Sequence, residues 1–178
     1  QTLVRWYLAR KNPEAAEGYL RESLKTAGTS DKTGRLTLIR FLAEVRGPDA
    51  AIKELDAMVA AGGDVALFRS LRAGLMFDKG EQGAAIADMQ DILAAAEPSE
   101  DTRQIKLALA RMLIGAADQV TARKLVEEVL AEDGTEVEAL KLKASWQIDA
   151  DQTGDSIVTL RAALDQAPRD AQLLTLMA

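Results

Sequence analysis

Large apolar side chains recur along this chain at Trp6, Phe41, Leu75, Met112 and Trp146, with separations of 35, 34, 37 and 34 residues. The same offsets collect Ala16, Ala51, Ala85, Ala122 and Ser156, then Leu20, Leu55, Met89, Val126 and Leu160, then Leu24, Val59, Leu93, Leu130 and Leu164. A small residue followed by large apolar ones at i+4 and i+8 is one face of a helix, with a tight spot where a neighbour crosses it. A unit of about 34 residues cannot bury such a face alone, so the five copies must stack to build a continuous core.

Breaks in the pattern divide each copy into two helices. Asn12 and Pro13 offer a cap and a first-turn proline, Gly47-Pro48 and Gly80 interrupt the next two copies, and Gly28, Gly63, Gly134 and Pro168 close copies. The reading is an all-α chain of five helix hairpins at about 1–28, 31–63, 64–98, 100–134 and 135–168, with an extra helix at 170–178 that has no hairpin partner. Residues Glu97 to Glu100 are expected as a loop, and the apolar side of the extra helix, Leu173, Leu174, Leu176 and Met177, calls for a covering neighbour. Gln1 is not an initiator methionine and enters a helical pattern at once, so a piece of a longer protein is expected.

Composition removes most catalytic chemistry. With neither Cys nor His, the chain has no thiol nucleophile, no disulfide, no zinc site of the usual ligand types and no imidazole base. Neighbouring acids such as Glu127/Glu128 and Glu132/Asp133 do not share a helix face, and nothing in their pattern marks a cleft that would push two carboxyl pKa values apart. Asp149, Asp151 and Asp155 around Gly154 lack the spacing and terminal Glu of a calcium loop. No enzymatic activity, metal or cofactor is therefore expected. No apolar run approaches the ~18 residues that a membrane span requires. Trp6 and Trp146 share a column with Phe41 and Met112, so packing rather than ligand stacking is their expected role.

These features resemble the tetratricopeptide repeat (TPR) family, in the unit of about 34 residues, the small residue near its eighth position (Ala73, Ala110, Ala144), the Ala that opens the second helix, and the terminal Pro168. The resemblance covers essentially the whole chain. It implies a single right-handed α-solenoid domain in which first helices line a concave groove and second helices form the outer surface. The chain departs from the family at the preferred Trp or Leu position, held here by Arg35, Arg69 and Lys106, and at the aromatic eleventh position, kept only by Tyr7. Those departures leave the first-helix register open by about one residue. The Ala-rich style is also similar to TPR lipoproteins of proteobacterial envelopes, including those associated with exosortase systems, and on that resemblance a bacterial periplasm or envelope is favoured over cytoplasm.

Charge is segregated by helix. Within the expected first helices, at 1–11, 32–46, 65–79, 101–116 and 136–149, lie 15 of the 22 Lys and Arg and six acids, a net of +9 against −15 for the remainder. Bases recur in register at Arg35, Arg69 and Lys106, and at Arg5, Arg40 and Arg111. With the groove that the TPR resemblance implies, Arg35, Arg40, Arg69, Lys106, Arg111 and Lys141 are the expected partner-binding residues, and an acidic or carboxylate-bearing peptide the expected partner. The competing account is that these side chains flank apolar stripes and lie over them. Nucleic acid is disfavoured by a pI near 4.8. Self-association through exposed array ends, a structural role in an envelope complex, and a docking role within a larger enzyme are the alternatives.

Overall fold

The computed structural model describes residues 2–28, 31–62 and 64–177. Gly63, expected to close the second hairpin, and Ala178, the expected last residue of the final helix, lie outside the described residues. The elements are α1 (Thr2–Ala9), α2 (Pro13–Ala27), α3 (Lys32–Val45), α4 (Pro48–Ala60), α5 (Val65–Asp78), α6 (Gln82–Ala94), α7 (Glu100–Gly115), α8 (Gln119–Glu132), α9 (Val137–Asp149), α10 (Thr153–Gln166) and α11 (Ala171–Met177), with no strand among the described residues. The chain forms two compact units, residues 1–88 and 89–178, whose boundary falls inside α6.

The small column is the tight spot that the spacing predicts. Ala16, Ala51, Ala85 and Ala122 are 0% exposed, and Ser156 is buried with its hydroxyl donated to the Thr153 carbonyl at 2.9 Å. The next column, Leu20, Leu55, Met89, Val126 and Leu160, is buried in every copy, and Leu24, Val59, Leu93, Leu130 and Leu164 are half-buried. Ala73, Ala110 and Ala144 are also fully buried, which settles the first-helix register. In the first unit, α1 packs on α2, α2 on α3, α3 on α4 and α4 on α5, around Leu38, Phe41, Leu42, Leu55 and Phe68. In the second, α7 packs on α8, α8 on α9, α9 on α10 and α10 on α11, with Leu140, Ala144, Leu160, Ala163 and Leu173 in one cluster. Each fully buried Leu or Phe among these contributes on the order of 1.5–3 kcal/mol of transfer free energy.

Four of the five hairpins turn the same way. Lys11, Gly80, Ala117 and Asp151 hold left-handed backbone, with φ of 55°, 95°, 65° and 56°. The residue after each donates its N–H back to the carbonyl five positions earlier, as from Asn12 to Tyr7 (3.0 Å), Glu81 to Met76 (2.9 Å), Asp118 to Leu113 (2.8 Å) and Gln152 to Gln147 (2.8 Å). That is the Schellman closure, which satisfies helix-end carbonyls and reverses the chain in two residues. Asn12 and Asp118 then cap the following helices through Ala15 N–H (3.0 Å) and Thr121 N–H (3.1 Å). The second hairpin instead turns at Gly47 (φ 93°), and Pro48 opens α4.

Three expectations are corrected. Glu100 is helical rather than loop, because Ser99 and Thr102 form a reciprocal capping box that starts α7 one residue earlier. The last helix has no hairpin partner among the described residues, yet it is not bare: it packs on α10 and buries Leu173 completely, leaving Leu174 and Met177 exposed. Trp6 is 46% exposed, because among the described residues no preceding hairpin covers that side of α1; its ring instead carries the Arg10 guanidinium at 4.3 Å and meets Tyr7 edge-on. Trp146 is half-buried, with the Arg123 guanidinium 5.3 Å from its ring centre.

Candidate interaction surface

The segregated charge is largely consumed by ion pairs between helices. In the first unit, Arg46 reaches Glu14 (3.2 Å) and Glu17 (3.1 Å), Lys79 reaches Asp49 (2.5 Å), and Arg72 bridges Asp56 (2.7 Å) and Asp88 (2.8 Å). In the second, Lys106 meets Glu132 (2.6 Å) and Glu128 (3.4 Å), and Lys143 meets Glu127 (3.2 Å). A base on a first helix thus faces an acid on a second helix of the same or the adjacent hairpin. Exposed pairs of this kind contribute little each, about 0–1 kcal/mol, but they neutralise the basic helices locally.

Four of the six expected partner-binding residues stand in ion pairs with the chain's own acids, whether on first or second helices. Arg69 binds Asp88 through both Nε and Nη2. Burial pushes the Asp88 carboxyl up, but the hydrogen bonds from Arg72 and Arg69 outweigh it and hold its pKa below the ordinary aspartate value. Lys106 is held protonated above its usual range, first by its hydrogen bond to Glu132. Arg111 reaches Glu138 at 2.5 Å. Lys141, only 8% exposed, lies between Glu138 (2.8 Å) and Asp170 (2.6 Å). Burial lowers its pKa, and the hydrogen bonds to Asp170 and Glu138 more than restore it.

Arg35 and Arg40 are in no ion pair among the described residues, and each borders an open recess of the first unit. One recess, of about 260 Å³, lies between α1 and α3; Val4, Leu8, Leu20 and Phe41 form its apolar floor, and Arg5, Arg40 and Glu44 its rim. The other, of about 440 Å³, lies among α2, α3 and α4, with apolar walls from Leu24, Leu38, Ala57 and Met58 and with Arg21, Lys25, Arg35 and Glu54 as its charged groups. Arg35 also lies 5.6 Å over the Phe68 ring. Arg21 lies outside the basic columns because it sits on a second helix. A signal for it existed in Glu17, one turn earlier, to which it donates at 2.9 Å.

Every carboxyl whose pKa is shifted among the described residues (Glu14, Glu17, Asp88, Asp118, Asp133, Glu138 and Asp170) is moved down. A general acid working near neutral pH requires the opposite. No group of three or more acids placed to hold a metal ion occurs among the described residues, and no helix there is long and apolar enough to cross a membrane.

No protein-family model matches the chain, and no curated protein does either. Solved structures match its fold. MamA from Desulfovibrio magneticus aligns with a TM-score of 0.61 over 96% of this chain and 94% of that one, at 13% identity. PilF from Pseudomonas aeruginosa aligns at 0.69 over 98% and 78%, at 15% identity. A tetratricopeptide repeat protein from Parabacteroides merdae aligns at 0.65 over 99% and 68%, at 14% identity. The chain has the tetratricopeptide-repeat fold.

Proposed function

We propose that this protein is a non-catalytic interaction scaffold that holds an Asp- or Glu-rich segment of a partner protein on its first-helix surface. The observation that carries this reading is the position of Arg35 and Arg40. Both belong to basic columns whose later members, Arg69, Lys106 and Arg111, are neutralised by the chain's own acids, while these two are in no ion pair among the described residues and lie beside open, apolar-walled recesses. Unpaired guanidinium groups next to apolar surface suit a partner that presents carboxylates between apolar side chains. The TPR fold supports a binding role, since stacked hairpins offer extended surfaces on which each repeat supplies a few side chains.

The test is a titration of the whole chain with acidic peptides at rising salt. Affinity is expected to fall as salt rises, and to be lost in an R35E/R40E double reversal that leaves the melting temperature unchanged. Binding that ignores salt, or that survives the double reversal, removes the reading.

A further inference from the structure

Arg35 and Arg69 hold the same register position but differ in their partners. Arg35 and Arg69 are 34 residues apart, and so are Glu54 and Asp88. Arg69 on α5 takes Asp88 on α6. By that register Arg35 on α3 should take Glu54 on α4, but Glu54 is held by Arg21 of α2 at 2.9 Å, while Arg21 also binds Glu17. Arg35 is left one carboxylate short, over the Phe68 ring and against the apolar wall of Leu38, Ala57 and Met58. Lys25 adds a third positive charge to the recess, and its own side-chain contact is a solvent-exposed pair with Glu22.

Resting on the reading that the chain binds an acidic partner segment, we infer that this α2–α3–α4 recess is the docking point, and that the partner supplies the missing carboxylate. Its occupant is an Asp or Glu side chain flanked by an apolar residue such as Leu or Met. The carboxylate takes the place opposite Arg35 that Asp88 fills opposite Arg69, and the apolar neighbour covers the Leu24–Met58 wall. Arg21 is held by Glu17 and Glu54 and Lys25 by Glu22, so Arg35 sets the charge complementarity, and the volume of about 440 Å³ admits a side chain of that size. The α1–α3 recess is the weaker acceptor, because its acid, Glu44, is in no ion pair among the described residues and remains available to Arg5 or Arg40, whereas Glu54 is already held by Arg21.

The experiment uses the whole chain and a fluorescein-labelled peptide of alternating leucine and glutamate, read by anisotropy, with its leucine–glutamine counterpart as control. The glutamate peptide is expected to bind and the glutamine peptide to bind at least about ten-fold more weakly, the size expected for a charge-assisted hydrogen bond. R35Q is expected to cost about ten-fold and R35K much less, because lysine keeps the charge but not the fork. Amide shifts in a labelled sample should concentrate at Leu24, Gly28, Arg35, Ala57 and Ala61. If R35Q binds like the parent while R40Q abolishes binding and the shifts move to Leu8 and Phe41, the site assignment fails and the broader scaffold reading survives. If the glutamate peptide binds no better than the glutamine one, both fall. An equal loss in R35K and R35Q, with lowered melting temperatures in each, also overturns the assignment, because Arg35 then acts only in packing against Phe68.

Discussion

Lys141 Nζ lies 2.6 Å from Asp170 Oδ2, tying the middle of α9 to the residue that precedes α11. The other carboxylate oxygen of Asp170 accepts the N–H groups of Gln172 (2.9 Å) and Leu173 (3.0 Å), so one side chain both caps α11 and anchors it. A helix of seven residues has little stability of its own; its order comes from Leu173 in the core and from this anchor.

Replacing Lys141 by methionine should therefore loosen α11 selectively. The substitution keeps the stem that packs against the core but leaves Glu138 and Asp170 without their shared cation, at an expected cost of about 1–3 kcal/mol. Hydrogen exchange of the Leu173 to Met177 amides should quicken well beyond that of α7. Unchanged protection there would show that Leu173 alone holds the helix.

The same cluster sets a pH dependence. The hydrogen bond from Lys141, followed by that from the Leu173 N–H, holds the Asp170 carboxyl below its ordinary value of 3.8. A depressed carboxyl stabilises the fold above that ordinary value, and the contribution is lost as pH falls through its lower folded value. Lys141 is raised above 10.5, so its contribution is complete below 10.5 and disappears as pH rises through the higher folded value. Docking of α11 should be flat across the neutral range and weaken at both extremes, with the acid limb reduced in D170N to the part that Glu138 contributes through Lys141. Exchange rates measured at a series of pH values, corrected for intrinsic chemistry, test this.

Ala117 holds a left-handed backbone with a Cβ that glycine would not carry. Ala117→Gly should stabilise the fourth hairpin by about 0.5–1 kcal/mol, since the left-handed penalty exceeds the added chain entropy of glycine. Ala110→Gly, in the middle of α7 and fully buried, should destabilise by about 1 kcal/mol or more. Denaturant midpoints that move in the same direction for both would contradict the turn assignment.

The buried small column is intolerant of bulk. Ala51→Leu places a larger side chain where α4 has none of its surface exposed, and should cost about 1–3 kcal/mol by overpacking. Val120→Leu, on a residue 82% exposed in the first turn of α8, should change stability by less than about 0.5 kcal/mol. Urea unfolding of the two variants makes the comparison directly.

The architecture was legible because packing repeats with the sequence. A methyl-sized residue at Ala16, Ala51, Ala85 and Ala122 has one physical cause, a crossing helix, so its spacing reports the hairpins before any coordinates exist. Turn chemistry was legible at Gly47 and Gly80, where glycine marks the left-handed position. Lys11, Ala117 and Asp151 adopt the same conformation without a glycine to announce it, because the Schellman hydrogen bonds and the packing of both helices over-determine the backbone there. Helix starts moved where a cap outweighed the pattern, as Ser99 did for α7.

What the sequence by itself determined was the repeat, the two-helix unit, the buried columns and the separation of bases from acids by helix. Each of these is a periodic property, and periodicity is visible in one dimension. Only the tertiary structure decided which charges remain available to a partner. A basic column reads alike at Arg35, Arg69 and Lys106, yet Asp88 and Glu132 neutralise the last two, while Arg21 takes the acid that would have served the first. Pairing depends on angstrom-scale distances among helices far apart in sequence, and on competition between two bases for one carboxylate. For the same reason Lys141, which reads as one more basic side chain, is a buried anchor for α11, and Trp6, which reads as core, stands exposed.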